Sequence, residues 1–262
     1  MEKRKILIAY ALKYEGDWDK IYSAICSKEL LTDEEESKAN TIKSKAITIL
    51  DDEYPEQLKN VHKPPIVLFY YGDISLMRDY YKNISIVGSR ACSDYGARMT
   101  EEIASDLAKR GYVIVSGMAK GIDGIAHQSA INSGGKTIAV LGGGIDYCYP
   151  SENIYLYKDI KKHHLLISEY PGNVLPQTHF FPIRNRIIAG LSKTLIVTEA
   201  SHYSGSLVTA SLALEGNADV MCVPYEAGKQ SACNRLINSG AILVESADDV
   251  VNEMSTCQNF VK

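Results

Sequence analysis

The feature that most constrains the fold of this sequence is a regular alternation of short apolar segments with longer helical ones, which begins near Asn83. The apolar segments are rich in Val, Ile and Leu, and they cover residues 84–87, 112–115, 137–141, 164–167, 194–197, 220–223 and 241–244. Strands that are apolar throughout are typical of parallel sheets, because the connecting helices cover both faces. The pattern predicts an α/β protein with an extended Rossmann-like, doubly wound, mostly parallel sheet of about seven or more strands.

The first 62 residues have a different character, polar and helical in periodicity. Their apolar face is predicted to consist of Trp18, Ile21, Tyr22, Ile25, Leu30 and Leu31. The helix-breaking stretch Lys63-Pro64-Pro65 separates this part from the strands that follow. We therefore predict a small helical N-terminal domain over residues 1–62 and a Rossmann-like core over residues 63–255. Residues 256–262 are expected to form a C-terminal tail, with no winged helix.

Composition excludes several classes of protein. No apolar run approaches the ~20 residues of a membrane-spanning helix, so no membrane partner is expected. The six cysteines are scattered without a CxxC pair and no histidines have ligand spacing, which predicts no metal site and favours a reducing, cytoplasmic location. The net charge of −4 means that nucleic-acid binding would require a local basic patch.

Glycine and small polar residues are concentrated where the predicted strands end. The segments that follow five of the strands are Gly88-Ser89-Arg90, Ser116 through Gly124, Gly142-Gly143-Gly144, Ser168 through Gly172, and Glu199 through Ser206. The carboxyl ends of parallel strands share one edge of the sheet, where ligands bind and where helix N-termini favour anions. Tight strand-to-helix turns also need glycine, but five such loops on one edge predict a ligand that carries phosphate.

No nucleotide cofactor is predicted. The first strand of the alternating region is not followed by G-x-G-x-x-G, which argues against a dinucleotide. Residues 130–137 formally match a relaxed P-loop, but this segment ends a helix and enters a strand, so Lys136 should lie at the opposite edge. Neither a nucleophile–base pair nor a metal cluster is visible, so we predict no catalytic residues and a protein that is not an enzyme.

The segment 180–193 combines an aromatic pair with three cations and no acids. Arg184 and Arg186 flank Asn185 near a predicted helix start, where phosphate contacts are favoured, and aromatic rings can stack on unpaired bases. Alternatively, one arginine forms a structural ion pair with Glu199 or Asp146. We favour a functional role for Arg184, leave Arg186 open and place Phe181 in the core.

These segments resemble the DNA-processing protein A (DprA, or Smf) family, in the order in which that family carries them. The resemblance rests on Val87-Gly88-Ser89-Arg90, on 116–123, on 168–172, on 181–192 and on 199–207, and it extends from about residue 66 to 251. It implies a protein that binds and protects single-stranded DNA and loads the RecA recombinase in natural transformation and recombination. It also implies a homodimer made through the later part of the core, and the N-terminal segment resembles the family's small SAM/HhH-like helical domain in truncated form.

The resemblance further implies which residues contact DNA. They are Gly88, Ser89, Arg90, Gly117, Lys120, Gly121, Asn153, Lys158, Phe181, Arg184, Asn185, Arg186, Ser204, Gly205 and Ser206. Lys120 and Lys158 are both candidates for the lysine that completes the family's DNA pocket.

The competing hypothesis is an enzyme of the same sheet architecture, a lysine-decarboxylase-like phosphoribohydrolase. Glu199 and the turn that begins at Ser204 would then be the catalytic candidates. The chain lacks the P-G-G-x-G-T-x-x-E pattern of those enzymes, so we favour DNA binding.

Overall fold

A computed structural model describes residues 2–201, 204–226 and 231–259, with side chains described between residues 3 and 255 of these ranges. The strands are β1 (Lys45–Thr48), β2 (Val67–Gly72), β3 (Asn83–Gly88), β4 (Val113–Ser116), β5 (Lys136–Val140), β6 (Leu165–Ser168), β7 (Thr194–Glu199), β8 (Asp219–Cys222) and β9 (Ile242–Leu243). The α-helices are α1 (Glu2–Lys13), α2 (Trp18–Ser27), α3 (Asp33–Lys38), α4 (Asp94–Lys109), α5 (Ile122–Asn132), α6 (Ile154–His163), α7 (Phe180–Gly190), α8 (Gly205–Glu215), α9 (Ala232–Asn238) and α10 (Ala247–Asn259). Short 3₁₀ turns cover Glu56–Lys59, Ile74–Met77 and Ser151–Asn153.

The strands of the described ranges form one sheet in the order β1-β2-β6-β5-β4-β3-β7-β8-β9. Strands β3 to β9 pair in parallel, whereas β2 runs antiparallel to both of its neighbours, β1 and β6. From the central strand β3 the chain winds outward through β4 to β6 on one side and through β7 to β9 on the other. The doubly wound, mostly parallel fold is therefore confirmed, and its seven parallel strands correspond to the seven apolar segments.

Both faces of the sheet are buried, which explains why the parallel strands are mostly apolar. On one face Val115 packs in a cluster with Ile187 of α7, and on the other its neighbour Ile114 packs with Ile103 of α4. Adjacent residues of a strand point to opposite faces, so apolar side chains are favoured at successive positions.

The N-terminal part is helical, as predicted, but it also supplies a strand that the periodicity did not reveal. β1 pairs antiparallel with β2, with Lys45 opposite Tyr70 and Thr48 opposite Val67. The run Ile47-Thr48-Ile49 is β-branched, which favours extended backbone over helix. The sheet thus begins upstream of the boundary drawn at residue 62. Of the predicted apolar face, Ile21 is buried, whereas Leu30 is 90% exposed.

The topology fixes where a ligand is expected to bind. The winding direction of the sheet reverses between the neighbouring strands β3 and β7. The connection that follows β3 leads to β4 on one side, and the connection that follows β7 leads to β8 on the other. Such a switch point creates a crevice at the strand ends. No helix in the described part of the chain is long and apolar enough to cross a membrane.

Candidate functional site

Two adjoining depressions open at the carboxyl edge of the sheet. One is a recess of about 150 Å³ beside the ends of β4 and β5, and the other is a groove of about 600 Å³ beside the ends of β3 and β7. They share five lining residues, namely Arg90, Ala119, Tyr149, Phe181 and Arg184, and we call the two together the strand-end pocket. Four of the five glycine-rich loops contribute to it. The fifth, after β6, instead borders a depression next to the N-terminal segment.

Arg184 lies in the wall of the strand-end pocket and lines both depressions. It is 4% exposed, and its Nη1 group donates hydrogen bonds to the carbonyl oxygens of Gly117, at 2.6 Å, and Val140. Its Nε group donates to Oδ1 of Asn185 at 3.1 Å. Among the described residues no carboxylate lies within 4.0 Å of this guanidinium. The structure therefore holds a buried cation at the pocket that has no directly contacting carboxylate among the described residues and is compensated only from farther away, by the buried Asp123.

The charge of Arg184 persists at neutral pH. Burial lowers the pKa of Arg184 to about 10, and the nearby charge of Asp123 acts in the opposite direction. Because a buried charge is costly unless it is compensated, an anion that enters the pocket would be attracted to this group.

Two glycines are required by the geometry of the pocket loops. A Cβ atom at Gly117 would lie 2.6–2.7 Å from the guanidinium atoms of Arg184, so any side chain there would displace the arginine. Gly121 has a φ of +72°, and a Cβ atom would lie 2.4 Å from the carbonyl oxygen of Ser89. The loop after β4 can approach the loop after β3 only because glycine occupies this position.

Arg90 and two aromatic rings form the exposed side of the pocket. The guanidinium carbon of Arg90 lies 5.2 Å from the ring centroid of Phe181, and that ring lies 5.7 Å from the ring of Tyr149 at an angle of 33°. Phe181 is only half-buried, so its assignment to the core was wrong. Tyr149, which is 49% exposed, was missed as a site residue. Its signal was an aromatic residue close to the triple glycine after β5.

The three remaining candidates on this side, Lys120, Asn153 and Lys158, lie at different positions relative to the pocket. Lys120 lines the recess and contacts the carboxylate of Glu152. Asn153 donates from Nδ2 to the carbonyl oxygens of Met118, at 2.9 Å, and Ala119, at 3.2 Å, so it braces the loop that carries Lys120. Lys158 is exposed on α6 and does not line either depression. Of the two candidate lysines, the structure places Lys120 in the pocket.

The groove brings together the candidates from the ends of β3 and β7. It is lined by Gly88, Ser89, Asn185, Ser204, Gly205 and Ser206. Ser204 caps α8 by accepting a hydrogen bond from the backbone N–H of Ser206 at 3.3 Å. Asn185 donates to the carbonyl oxygen of Gly205 at 3.4 Å, which joins α7 to the start of α8. The positive end of the α8 dipole is thus directed at the groove.

The structure corrects the prediction that Arg186 contacts DNA. Its guanidinium forms a two-pronged ion pair with Glu169, in which Nη1 and Nη2 each lie 2.6 Å from a carboxylate oxygen. Both side chains are about 5% exposed. Its Nε group donates to the carbonyl oxygen of Lys63 at 2.9 Å, away from the strand-end pocket. A structural ion pair was one of the two alternatives, but its acid is Glu169 and not Glu199 or Asp146.

The residues considered for other chemistry are held in structural roles. The carboxylate of Glu199 accepts hydrogen bonds from the backbone N–H of Ser93, at 3.1 Å, and from its hydroxyl, at 2.5 Å, at the start of α4. Lys136 begins β5, at the edge opposite to the pocket, and its Nζ donates to the carbonyl oxygen of His163 at 3.2 Å. Its predicted location is confirmed. The described residues contain no group of three or more His, Cys, Asp or Glu side chains suited to a metal ion.

Comparisons with known proteins agree with this architecture. The family model described as DNA recombination-mediator protein A matches residues 45–255, starting at β1. DNA processing protein DprA of Streptococcus pneumoniae is 45% identical over 210 residues, which cover 79% of this chain and 73% of that protein.

Two solved structures are also similar. An X-ray structure of DNA processing protein A from Streptococcus pneumoniae superposes with a TM-score of 0.79 at 38% identity, covering 95% of this chain and 93% of that one. A structure that gives insight into the single-stranded DNA binding mode of DNA processing protein A from Helicobacter pylori has a TM-score of 0.72 at 28% identity, covering 82% and 97%.

Proposed function

The chain belongs to the DNA recombination-mediator protein A family, whose members include the DNA-processing proteins DprA and Smf, and from this premise we propose that it binds single-stranded DNA in the strand-end pocket. The observation that carries the proposal is Arg184, a buried guanidinium without a paired carboxylate among the described residues, at a pocket that Arg90 and Lys120 also line. Phosphate is the ligand group that suits such converging cations.

The proposal also predicts a preference for single strands over duplex DNA. The aromatic rings of Phe181 and Tyr149 line the pocket beside the cations. Unpaired bases can stack on aromatic rings, whereas the faces of paired bases are buried in the duplex. A chain with a net charge of −4 repels a polyanion in general, so the local cations must supply the attraction.

Competition between single-stranded and duplex DNA tests this function. With a fluorescent single-stranded oligonucleotide bound, unlabelled single strand of the same sequence is expected to displace it at about tenfold lower concentration than the duplex, because one or more stacked bases contribute ~1–3 kcal/mol each. Fluorescence anisotropy measures both displacements. Equal displacement by the two competitors would contradict the role of the aromatic rings.

We propose further that the bound strand is protected from nucleases and handed to RecA in natural transformation and recombination, in the cytoplasm. Family membership supports these steps. We also propose that the protein acts by binding and not as an enzyme. The hydrogen bonds that Ser93 donates to Glu199 support this view, since they occupy the carboxylate required by the phosphoribohydrolase hypothesis.

Self-association into a homodimer is a further part of the proposal. Leu236 and Ile237 of α9 are half-buried, and Leu243 of the two-residue edge strand β9 is 48% exposed. This leaves apolar surface at the β9 end of the sheet. Sedimentation at micromolar concentration is expected to give about twice the chain mass of 28.9 kDa. A single species at the chain mass would contradict the dimer.

A further inference from the structure

The three cations of the recess are not equally available. Arg90 and Arg184 form no ion pair with any described carboxylate, whereas Nζ of Lys120 contacts Oε1 of Glu152. The side chains of Lys120 and Glu152 are 55% and 58% exposed, so this is a solvent-accessible ion pair at the rim of the pocket. One pocket cation is therefore already occupied by an anion of the protein itself.

Glu152 is held at this rim by the backbone around it. It lies in the 3₁₀ turn Ser151–Asn153, directly after Pro150, which lines the recess. The next residue, Asn153, donates hydrogen bonds to the carbonyl oxygens of Met118 and Ala119, in the loop that also carries Lys120. These hydrogen bonds join the two loops, so the backbone that carries Glu152 is held beside the pocket.

We propose that Glu152 limits the affinity of the strand-end pocket by competing with a DNA phosphate for Lys120. A phosphate that contacts Lys120 must displace the carboxylate or accept its negative charge close by, and both lower the net gain of binding. The inference rests on the proposed single-stranded DNA binding. It assigns Glu152 an effect on DNA affinity that is opposite to that of the surrounding cations, since the carboxylate weakens binding and the cations strengthen it.

The geometry favours competition over a positioning role. An exposed ion pair between two flexible side chains restrains geometry weakly, because both groups keep most of their contact with water. The charge of the carboxylate, in contrast, acts on any phosphate that reaches Lys120. The hydrogen bond from Lys120 lowers the pKa of Glu152, so the carboxylate remains ionised at neutral pH.

A double-mutant cycle on single-stranded DNA affinity tests the inference. Glu152→Gln keeps the size and a hydrogen-bond acceptor but removes the charge, and it is expected to tighten binding about two- to fivefold, in line with the strength of exposed ion pairs. In the Lys120→Met background the same substitution is expected to change affinity less than about 1.5-fold, because the competed group is gone. Glu34→Gln is the matched control: Glu34 is 80% exposed and paired with Lys38 of α3, so the substitution makes the same change in net charge without touching the pocket.

The outcomes separate this inference from the function on which it rests. If the wild-type protein binds single strands while Glu152→Gln binds equally or more weakly, the competition is refuted and the proposed function stands. An equal gain with and without Lys120, or an equal gain from Glu34→Gln, would also refute it, since the effect would then be one of general charge. A wild-type protein without affinity for single strands would remove both proposals.

Discussion

Replacing Glu169 with alanine is expected to lower the free energy of unfolding by about 3–5 kcal/mol, because it leaves the buried Arg186 guanidinium without its counter-charge. For a chain of this size the melting temperature is expected to fall by about 10 °C. Thermal unfolding followed by circular dichroism measures the change. The effect is large because both side chains are about 5% exposed, so water cannot replace the lost carboxylate.

A matched control separates this effect from the loss of any carboxylate. Asp106 pairs with Lys109 on the exposed side of α4, and Asp106→Ala is expected to change stability by no more than about 0.5 kcal/mol. A double variant, Glu169→Leu with Arg186→Met, is expected to be more stable than Glu169→Ala, because no buried charge is left alone. Equal losses from Glu169→Ala and Asp106→Ala would contradict the structural role of the pair.

The substitution Arg184→Met is expected to weaken single-stranded DNA binding by about 30-fold or more, corresponding to the ~2 kcal/mol or greater cost of truncating a buried charged contact. The guanidinium contacts no carboxylate directly among the described residues, but its charge compensates the nearby buried carboxylate of Asp123, which methionine would leave without that cation. Because these two charges are not in direct contact, unlike those of Glu169 and Arg186, we expect a smaller loss of stability than for Glu169→Ala.

Arg98→Met supplies the control for the loss of one positive charge. Arg98 is exposed on α4, near the ring of Tyr95, and lies outside the strand-end pocket. Its substitution is expected to leave affinity within about twofold of wild type, since a single distant surface charge is screened by salt. A folded Arg184→Met protein that binds single strands as tightly as wild type would show that the pocket is not the site.

The sequence predicted the parallel part of the sheet well because its strands are buried on both faces. A segment such as 195–197 is then apolar at every position, and that signal is stronger than alternation. β1 gave no comparable signal, since a four-residue strand at the edge of the sheet lies within a largely helical stretch. Its run of β-branched residues was too short for their strand preference to outweigh the surrounding helical pattern.

The sequence predicted where the site lies but not which charged side chains pair with one another. Glycine-rich strand ends located the pocket, because the topology brings those ends to one edge. The ion pair between Glu169 and Arg186 joins the end of β6 to α7, and no spacing rule connects two such elements. For the same reason the contact of Glu152 with Lys120 was not visible in the sequence. As a result, the sequence did not show that Arg184 and Arg186, two residues apart on one helix, have different roles: Arg184 lines the pocket, whereas Arg186 pairs with Glu169.

The salt dependence of single-stranded DNA affinity tests the central claim most directly. If Arg90, Arg184 and Lys120 contact about three phosphates, a plot of log K against log salt concentration is expected to have a slope of about −2, at roughly −0.7 per phosphate. Arg90→Ala is expected to make the slope shallower by less than about one unit and to weaken binding similarly for different base sequences, with an unchanged melting temperature. A slope near zero for the wild type, or a folded Arg90→Ala protein with the affinity and slope of the wild type, would contradict phosphate binding in the strand-end pocket.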